Sequence, residues 1–278
     1  MNATADRVLD VSGLEKRYTS SGMLAIENVT LDVGRGEFVS IVGPSGCGKT
    51  TLLKTICGLL HPTGGTVRLD GKLVTTPPPE MVLVFQDYAR SLFPWLTVSG
   101  NVAFPLKKKL AGQERARAID AALTAVGLAK FADRYPWQLS GGMQQRVAIA
   151  RAVAFSPEIL LLDEPFASVD ALTRAELEDL TLQLRRELGI TMLLVTHDID
   201  EAVYLSDRVF VLSPPPSVVV REIAVPLPKP RDQERTRSDA RFLELRNEIH
   251  HLIGRPREEV AAMTAASAAA GLRAEAAH

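Results

Sequence analysis

The chain has 278 residues, of which 46% are hydrophobic and 23% charged, as expected for a globular protein with room for one large α/β domain and additions. Its 32 basic and 33 acidic side chains give a net charge of −1 without a basic block, which argues against broad nucleic-acid binding. No apolar run approaches the roughly 20 residues that span a bilayer, and the N-terminus lacks the apolar segment of a secretory signal. The cysteines Cys47 and Cys57 are expected to be reduced thiols.

The first predicted α/β segment surrounds a glycine-rich loop. Residues Glu37 to Val42 form a short, apolar, β-branched run that predicts a buried strand, and apolar residues recur at helical spacing from Leu52 to Leu60. The loop between them contains the phosphate-binding pattern Gly-x-x-x-x-Gly-Lys-Thr, and we take as its candidate binding residues Gly43, Pro44, Ser45, Gly46, Cys47, Gly48, Lys49, Thr50 and Thr51.

Strand, glycine loop and helix in this order predict a site for nucleotide phosphates. The glycines let successive backbone N–H groups point at one anion, and the helix N-terminus adds partial positive charge. Lys49 is expected to reach the β- and γ-phosphates, and the Thr50 hydroxyl is expected to hold Mg²⁺. The alternative, a plain glycine-rich turn, is disfavoured because both flanking elements are in place.

The middle of the chain is predicted to be rich in helix. A strand-like run from Met81 to Phe85 comes first, and Gln113 to Val126 is a clear amphipathic stretch. A further helix is predicted from Met143 to Ala154, with Ser140 as a good N-cap. Two glycines follow that serine and leave backbone N–H groups open, so this helix start is a second candidate anion site.

Two more buried strands each end in polar side chains. Ile159 to Leu162 leads into Asp163 and Glu164, and Thr191 to Val195 leads towards His197. Ligands of open α/β sheets bind at the carboxyl ends of strands. We therefore expect Asp163 to hold Mg²⁺, directly or through water, and Glu164 to activate the attacking water as general base. His197 is expected to contact the γ-phosphate. The alternative for the Asp163-Glu164 pair is a solvated turn, and the alternative for His197 is a structural or exposed histidine.

The C-terminal part continues the strand and helix alternation and then changes character. Four further segments are predicted: an amphipathic helix at Leu172 to Leu188, a strand at Ser217 to Pro228, a polar linker at Pro230 to Arg237, and an amphipathic helix at Asp239 to Ile253. Alanine and charged residues dominate residues 255–278, so we expect a disordered tail or a partial alanine-rich helix.

In chain order, the phosphate loop, the helix start at Leu139-Ser140-Gly141-Gly142, the Asp163-Glu164 pair and the His197 turn resemble the nucleotide-binding subunit of an ATP-binding cassette (ABC) transporter. Met143 stands where the family usually has glutamine. The resemblance implies an α/β fold of the P-loop NTPase (RecA-like) type, with a β-rich N-terminal part. It implies an ABC ATPase domain at 8–254, with a helical subdomain at about 87–155 and a C-terminal extension at about 214–254.

The resemblance also implies roles that the residues alone do not. Ser140, Gly141 and Gly142 are expected to close over the γ-phosphate of an ATP bound to a second copy, so that a homodimer encloses two ATP molecules. Gln86 is expected to touch Mg²⁺ and the attacking water and to link the site to membrane subunits. Tyr18 matches the aromatic residue that stacks on adenine; the alternative is a core or surface tyrosine.

Narrower likeness points to the nitrate/sulfonate/taurine importer branch, and the segments that carry it are Phe93 to Val98, Glu164 to Arg174, Ser213 to Pro216, and Leu227 to Arg231. Such importers use ATP and Mg²⁺ and pair two ATPase subunits with two integral membrane permeases and a periplasmic or lipid-anchored solute-binding protein. This implies a peripheral location on the cytoplasmic face of the bacterial inner membrane. A non-transport ABC ATPase and an exporter subunit remain the alternatives.

One segment has two interpretations. Phe93-Pro94-Trp95-Leu96-Thr97-Val98 places large apolar side chains beside a helix-breaking proline. Either it is a core turn of the helical subdomain, or it is the wall of a groove that receives a short helix of the permease. Trp95→Ala distinguishes the two, because loss of an interface anchor weakens association with the permease and leaves the basal ATPase of the subunit, whereas loss of a core residue impairs folding or nucleotide binding.

Overall fold

The structure is a computed structural model, and it describes residues 7–19, 22–86, 91–253 and 259. Its strands are β1 (Arg7–Arg17), β2 (Leu24–Gly34), β3 (Phe38–Val42), β4 (Gly64–Leu69), β5 (Lys72–Leu73), β6 (Met81–Val84), β7 (Ile159–Asp163), β8 (Thr191–Thr196), β9 (Arg208–Leu212) and β10 (Val219–Ala224). The predicted tail at 255–278 lies outside the described residues, apart from residue 259.

The helices confirm the amphipathic segments within one or two residues at most ends. They are α1 (Lys49–Ile56), α2 (Val98–Ala103), α3 (Gly112–Ala125), α4 (Gly141–Val153), α5 (Ala171–Leu188), α6 (Ile199–Leu205), α7 (Gln233–Arg237) and α8 (Ala240–Ile253). Among the described residues, none of these helices is both long and apolar enough to cross a bilayer. The mixture of parallel strands and helices confirms the α/β class.

The chain divides into two compact units, residues 1–76 with 195–278, and residues 77–194. In the first unit a four-stranded antiparallel sheet has the order β2-β1-β4-β5, which is the predicted β-rich N-terminal part. The same unit contains β3, which pairs in parallel with β9, while β10 pairs antiparallel with the other edge of β9. All five residues of β3 are buried, as expected for a strand covered on both faces.

In the second unit, β6 and β7 run parallel, with Met81 opposite Ile159 and Val84 opposite Leu162. β8 follows α5 and begins in this unit. Helix α5 has a defined start and end: the Asp170 side chain accepts hydrogen bonds from two backbone N–H groups at its N-terminus, and Gly189 adopts φ 64° at its C-terminus. These two caps fix the backbone conformation where the chain enters and leaves α5.

The predicted polar linker at Pro230 to Arg237 is wrong in its second half, because α7 occupies Gln233–Arg237. The Asp232 carboxylate accepts hydrogen bonds from the N–H groups of Glu234 and Arg235, so a polar sequence still starts a helix. The residue before this cap, Arg231, donates to the carbonyls of Tyr204 (2.5 Å) and Ser206 (2.6 Å) at the end of α6. The C-terminal segment is thereby attached to the first unit.

Candidate functional site

The phosphate loop joins β3 to α1 in the first unit and has the conformation that its glycines predict. Gly46 has φ 75° and Gly48 has φ 102°, a region that side chains other than glycine rarely adopt. A Cβ atom at Gly48 would lie 3.2 Å from the Ala25 carbonyl oxygen, so close backbone packing also favours glycine here. Helix α1 begins directly after Gly48 and directs its free N–H groups into the loop.

Lys49 is held inside this loop. Its side chain is 5% exposed, and its Nζ donates to the carbonyl oxygens of Gly43 (2.9 Å) and Pro44 (3.1 Å). These two bonds fix the ammonium group within the ring of backbone atoms, where it offers its charge to an anion. Cys47 is fully buried, and its burial raises the pKa of the thiol more than the charge of Lys49 lowers it. Cys47 is therefore a neutral wall of the loop.

Two other predicted site residues belong to the first unit. The Tyr18 hydroxyl lies 3.0 Å from the Thr51 hydroxyl, so this tyrosine is attached to the start of α1 rather than buried in the core. Its stacking on adenine stays a prediction. His197 is exposed and follows β8 directly. The turn that carries it is fixed, because the buried Thr196 hydroxyl donates to Glu201 Oε2 (2.5 Å) and accepts from the Asp198 N–H (3.0 Å).

In the second unit, the polar side chains after β6 and β7 meet. Gln86 Nε2 donates to Glu164 Oε2 over 3.2 Å, which brings together two residues that the sequence assigned to the reaction. Asp163 ends β7 and is 3% exposed. Glu164 adopts φ 45°, a left-handed conformation that is uncommon for a residue with a Cβ atom. Backbone strain of this kind collects at functional positions.

The second candidate anion site lies at the start of α4. The Ser140 hydroxyl accepts a hydrogen bond from the Met143 N–H (3.3 Å), which confirms it as the N-cap. Ser140 and Gly141 are exposed, whereas Gly142 is buried against α5. A Cβ atom at Gly142 would lie 2.3 Å from Thr173 Cγ2, so only glycine fits this position without movement. Glycine here permits close packing and leaves the backbone N–H groups of the exposed helix start accessible.

Two contacts of the site are absent from the sequence analysis. Ser217 donates a hydrogen bond from its hydroxyl to the Cys47 carbonyl of the phosphate loop. Asn101 is fully buried and fixes the Phe93 to Thr97 loop: Phe93 donates to its Oδ1 (2.8 Å), and its Nδ2 donates to the carbonyls of Phe93 (3.1 Å) and Leu96 (3.2 Å). An asparagine among the apolar residues of α2 is the one sequence signal for the second contact.

Each unit, taken by itself, offers an oxygen donor of a kind that suits a magnesium ion. Thr50 offers a hydroxyl oxygen, and Asp163 offers a carboxylate oxygen at the carboxyl end of a strand. Mg²⁺ prefers such oxygen ligands and is usually held by one or two protein groups together with substrate phosphates. In the part of the chain that the structure describes, no three His, Cys, Asp or Glu side chains form a metal cage.

The fold and the phosphate loop together define a P-loop nucleotide-binding protein. Comparison with protein families is consistent with this: residues 26–167 match the family described as ABC transporter. The chain is similar to the nitrate transport protein NasD of Klebsiella oxytoca, with 43% identity over 88% of this chain and 96% of NasD. It is 44% identical to the bicarbonate transport ATP-binding protein CmpC of Synechococcus elongatus, over 87% of this chain but 37% of CmpC.

Solved structures resemble the fold over most of its length. The cassette cbiO1 from Clostridium perfringens, part of the transporter complex cbiONQ, has a TM-score of 0.72 and 32% identity over 79% of this chain and 89% of cbiO1. The dimeric cassette MJ0796, bound to ADP and Pi after hydrolysis, has a TM-score of 0.68 and 36% identity over 78% of this chain and 98% of its own. The chain belongs to the ABC transporter family and is an ATP-hydrolysing cassette of it, which confirms the resemblance seen in the motifs.

Proposed function

We propose that this chain is the ATPase subunit of a membrane importer for a small solute of the nitrate, sulfonate or taurine kind, or for a related organic compound. The observation that carries the proposal is the 43% identity with NasD, which extends over 96% of that nitrate transport protein. In this proposal the ATPase domain covers residues 8–254, with the helical subdomain at about 87–155. The subunit lies on the cytoplasmic face of the bacterial inner membrane.

In the first unit, the proposed work of the site is to bind ATP. Lys49 and the N–H groups of the phosphate loop bind the β- and γ-phosphates, since the loop already fixes the ammonium group by two hydrogen bonds. Tyr18 stacks on the adenine, and its bond to Thr51 ties it to the phosphate loop. His197 contacts the γ-phosphate from a turn that the Thr196 bonds fix.

In the second unit, the proposed work is hydrolysis. Glu164 accepts a proton from the attacking water as general base, and Gln86 orients both the carboxylate and the water. Asp163, Gln86 and, from the first unit, Thr50 are the residues that would hold Mg²⁺. When bound, the ion neutralises charge on the phosphate oxygens.

The start of α4 has its proposed function in a homodimer. Each copy binds one ATP at its own P-loop. The helix start at Ser140, Gly141 and Gly142 is a second anion site with accessible N–H groups, and the same copy has no second nucleotide for it to bind. In our proposal these groups bind the γ-phosphate of the ATP in a second copy, and hydrolysis opens the dimer. MJ0796, which was solved as a dimer, supports this arrangement.

Glu164→Gln tests the base and the dimer together. The substitution keeps the size of the side chain but removes its basicity, so ATP is bound without being hydrolysed and dimers accumulate. Light scattering with Mg-ATP should show the dimer for this variant and a smaller dimer fraction for the wild type. The double variant Glu164→Gln/Lys49→Ala, which lacks the phosphate-binding charge, should remain monomeric. The two-copy site would be refuted if Glu164→Gln formed no closed dimer with Mg-ATP, both as the isolated subunit and with the permease present.

A cavity in the second unit is the proposed contact with the permease. It has a volume of about 330 Å³ and an apolar lining, which includes Val82, Phe93, Phe104 and Phe155, with Arg151 at its polar side. Arg151 donates to the carbonyl oxygen (2.6 Å) and hydroxyl (2.8 Å) of Ser91, so it shapes the cavity wall.

Trp95 marks the rim of the same region. Its ring lies 5.4 Å from that of Phe93, which lines the cavity, and the side chain is 71% exposed, so the interpretation of Trp95 as a core residue is wrong. The groove interpretation becomes part of our proposal: an amphipathic helix of the permease inserts its apolar face beside Trp95.

Co-purification with the permease tests this contact. Trp95→Ala should reduce the amount of permease recovered with the tagged subunit, because it removes a large exposed anchor. Trp137→Ala is the matched control, since Trp137 is 69% exposed in the same unit and its ring stacks on Tyr135 instead of contacting a residue that lines the cavity. Equal recovery with both variants would remove Trp95 from the interface.

In our proposal the partner proteins, and not this chain, determine which solute is transported. We propose two permease subunits and a periplasmic or lipid-anchored binding protein, and a ligand screen on that binding protein identifies the compound. Uptake of the identified solute into membrane vesicles that enclose the full complex distinguishes import from export. Absence of any integral membrane partner in the purified complex would favour the alternative of a non-transport ABC ATPase.

A further inference from the structure

A side chain from the loop between β9 and β10 contacts the phosphate loop. Ser217 is 1% exposed, and its hydroxyl donates to the Cys47 carbonyl. Its own backbone is fixed to β2, because its N–H donates to the Ala25 carbonyl (3.0 Å) and its carbonyl accepts from the Glu27 N–H (2.9 Å). The hydroxyl thus acts from a fixed position on the backbone of the phosphate loop.

The geometry of a peptide unit gives this contact a consequence for binding. In a trans peptide the C=O of Cys47 and the N–H of Gly48 point in opposite directions. A donor that holds the carbonyl on one side therefore holds the N–H on the other side. Gly48 has φ 102° and the backbone freedom of glycine, so its peptide unit rotates unless something fixes it.

We propose that Ser217 is a positioning residue that orients the Cys47–Gly48 peptide so that the Gly48 N–H faces the phosphates of ATP. The inference rests on the proposed nucleotide-binding role of the phosphate loop. Ser217 does not itself contact the nucleotide. It holds the Gly48 N–H in its binding orientation before ATP arrives, so this group does not have to be ordered when ATP binds. Ordering a group on binding costs free energy and lowers the affinity, and a group that is already fixed avoids this cost.

The surroundings of Ser217 support an orienting function over simple packing. The Cys47 carbonyl belongs to a fully buried residue, so water cannot take the place of the serine hydroxyl without entering the core. A Cβ atom at Gly48 would lie 3.7 Å from Ser217 Oγ and 3.2 Å from the Ala25 carbonyl, so the peptide is bounded on this side by β2 and Ser217. Removal of the hydroxyl leaves space into which the peptide can turn.

The test compares Ser217→Ala with Ser206→Ala. Ser206 is a matched control because it is also a buried serine of the first unit, and its hydroxyl bonds to Ser40 rather than to the phosphate loop. Both variants lose one buried hydroxyl, so we expect similar falls in melting temperature without nucleotide. Calorimetry with ATP on the full chain should show about fivefold weaker binding for Ser217→Ala, which corresponds to about 1 kcal/mol, and unchanged binding for Ser206→Ala.

A second measurement separates this inference from the proposed function. The ¹H–¹⁵N resonance of Gly48 should shift in nucleotide-free Ser217→Ala and stay in place in Ser206→Ala. If the wild type fails to bind ATP, the proposed function is wrong, whatever Ser217 does to the Gly48 resonance. If the wild type binds ATP and Ser217→Ala binds it equally well with an unmoved Gly48 resonance, the positioning role is refuted.

Discussion

Gly142→Ala tests whether close packing at the start of α4 requires glycine. The added Cβ atom would lie 2.3 Å from Thr173 Cγ2, whereas non-bonded carbon atoms lie about 3.5–4.0 Å apart. Thr173 cannot turn away freely, because its hydroxyl donates to Asp170 Oδ2 over 2.7 Å at the N-terminus of α5. The helices must therefore separate or break this bond, and overpacking of this kind costs about 1–3 kcal/mol.

The assay is thermal unfolding of the purified chain. A loss of about 2 kcal/mol lowers the melting temperature by about 4–8 °C in a protein of this size. Thr173→Ser provides the decisive control, since it removes Cγ2 and keeps the hydroxyl for Asp170. We expect Thr173→Ser alone to melt close to the wild type and the double variant Gly142→Ala/Thr173→Ser to regain most of the loss. An unchanged melting temperature for Gly142→Ala, or no recovery in the double variant, would refute the steric argument.

Three further predictions concern charge. Lys49→Ala should weaken ATP binding about 100-fold by calorimetry, since it removes about 3 kcal/mol of charge-assisted hydrogen bonding, while the control Lys54→Ala on the same helix binds normally. Arg208→Met should lower the free energy of unfolding in urea by about 2 kcal/mol, because it removes the shared partner of two partly buried carboxylates, Asp32 and Glu37, and of the exposed Glu222; a loss below about 0.5 kcal/mol would contradict this. Hydrogen bonds from Thr173 hold the pKa of Asp170 below its usual value, so its stabilisation is present at neutral pH and is lost as the pH falls through the folded pKa, below about 3.9. Asp170→Asn should flatten the dependence of melting temperature on pH below about pH 4.

Contiguous features of this chain were predictable from sequence, and contacts between distant segments were not. The phosphate loop was found because its glycines and Lys49 lie within a few residues, between a strand and a helix that periodicity identifies. Ser217 lies 170 residues from Cys47, and no local pattern relates the two. Asn101 was missed for a different reason: its partners lie nearby, at Phe93 and Leu96, but a single asparagine gives no pattern that shows which backbone groups it bonds.

The error at α7 has a different origin. Polar composition predicted a linker there, yet the local bonds of the Asp232 carboxylate to two N–H groups start a helix. A cap of this kind is visible in sequence only as a single acidic residue, which is common in linkers as well. The pairing of Gln86 with Glu164 shows the opposite case: two weak signals became one site because β6 and β7 are neighbours in parallel register.

The backbone at Glu164 offers a last test of its assignment. A residue with a Cβ atom at φ 45° is strained by about 1 kcal/mol, whereas asparagine tolerates this conformation better than most residues. If stability alone determined the residue, asparagine would be the better choice, so glutamate at this position indicates that its carboxylate is needed. Glu164→Asn and Glu164→Gln both remove the base and carry no charge, but they differ in how well they fit the backbone.

We therefore expect Glu164→Asn to unfold about 1–4 °C above Glu164→Gln, a difference of about 0.5–1 kcal/mol, although both lose ATP hydrolysis. The melting temperatures are compared in a Gln86→Ala background, which removes the side-chain contact with Gln86 from both proteins. Hydrolysis is measured with Gln86 in place, because our proposal gives Gln86 a role in orienting the attacking water. Equal melting temperatures would mean that the left-handed backbone at Glu164 carries no strain. Retained hydrolysis in either variant would remove Glu164 from the role of general base, because neither amide can accept the proton of the attacking water.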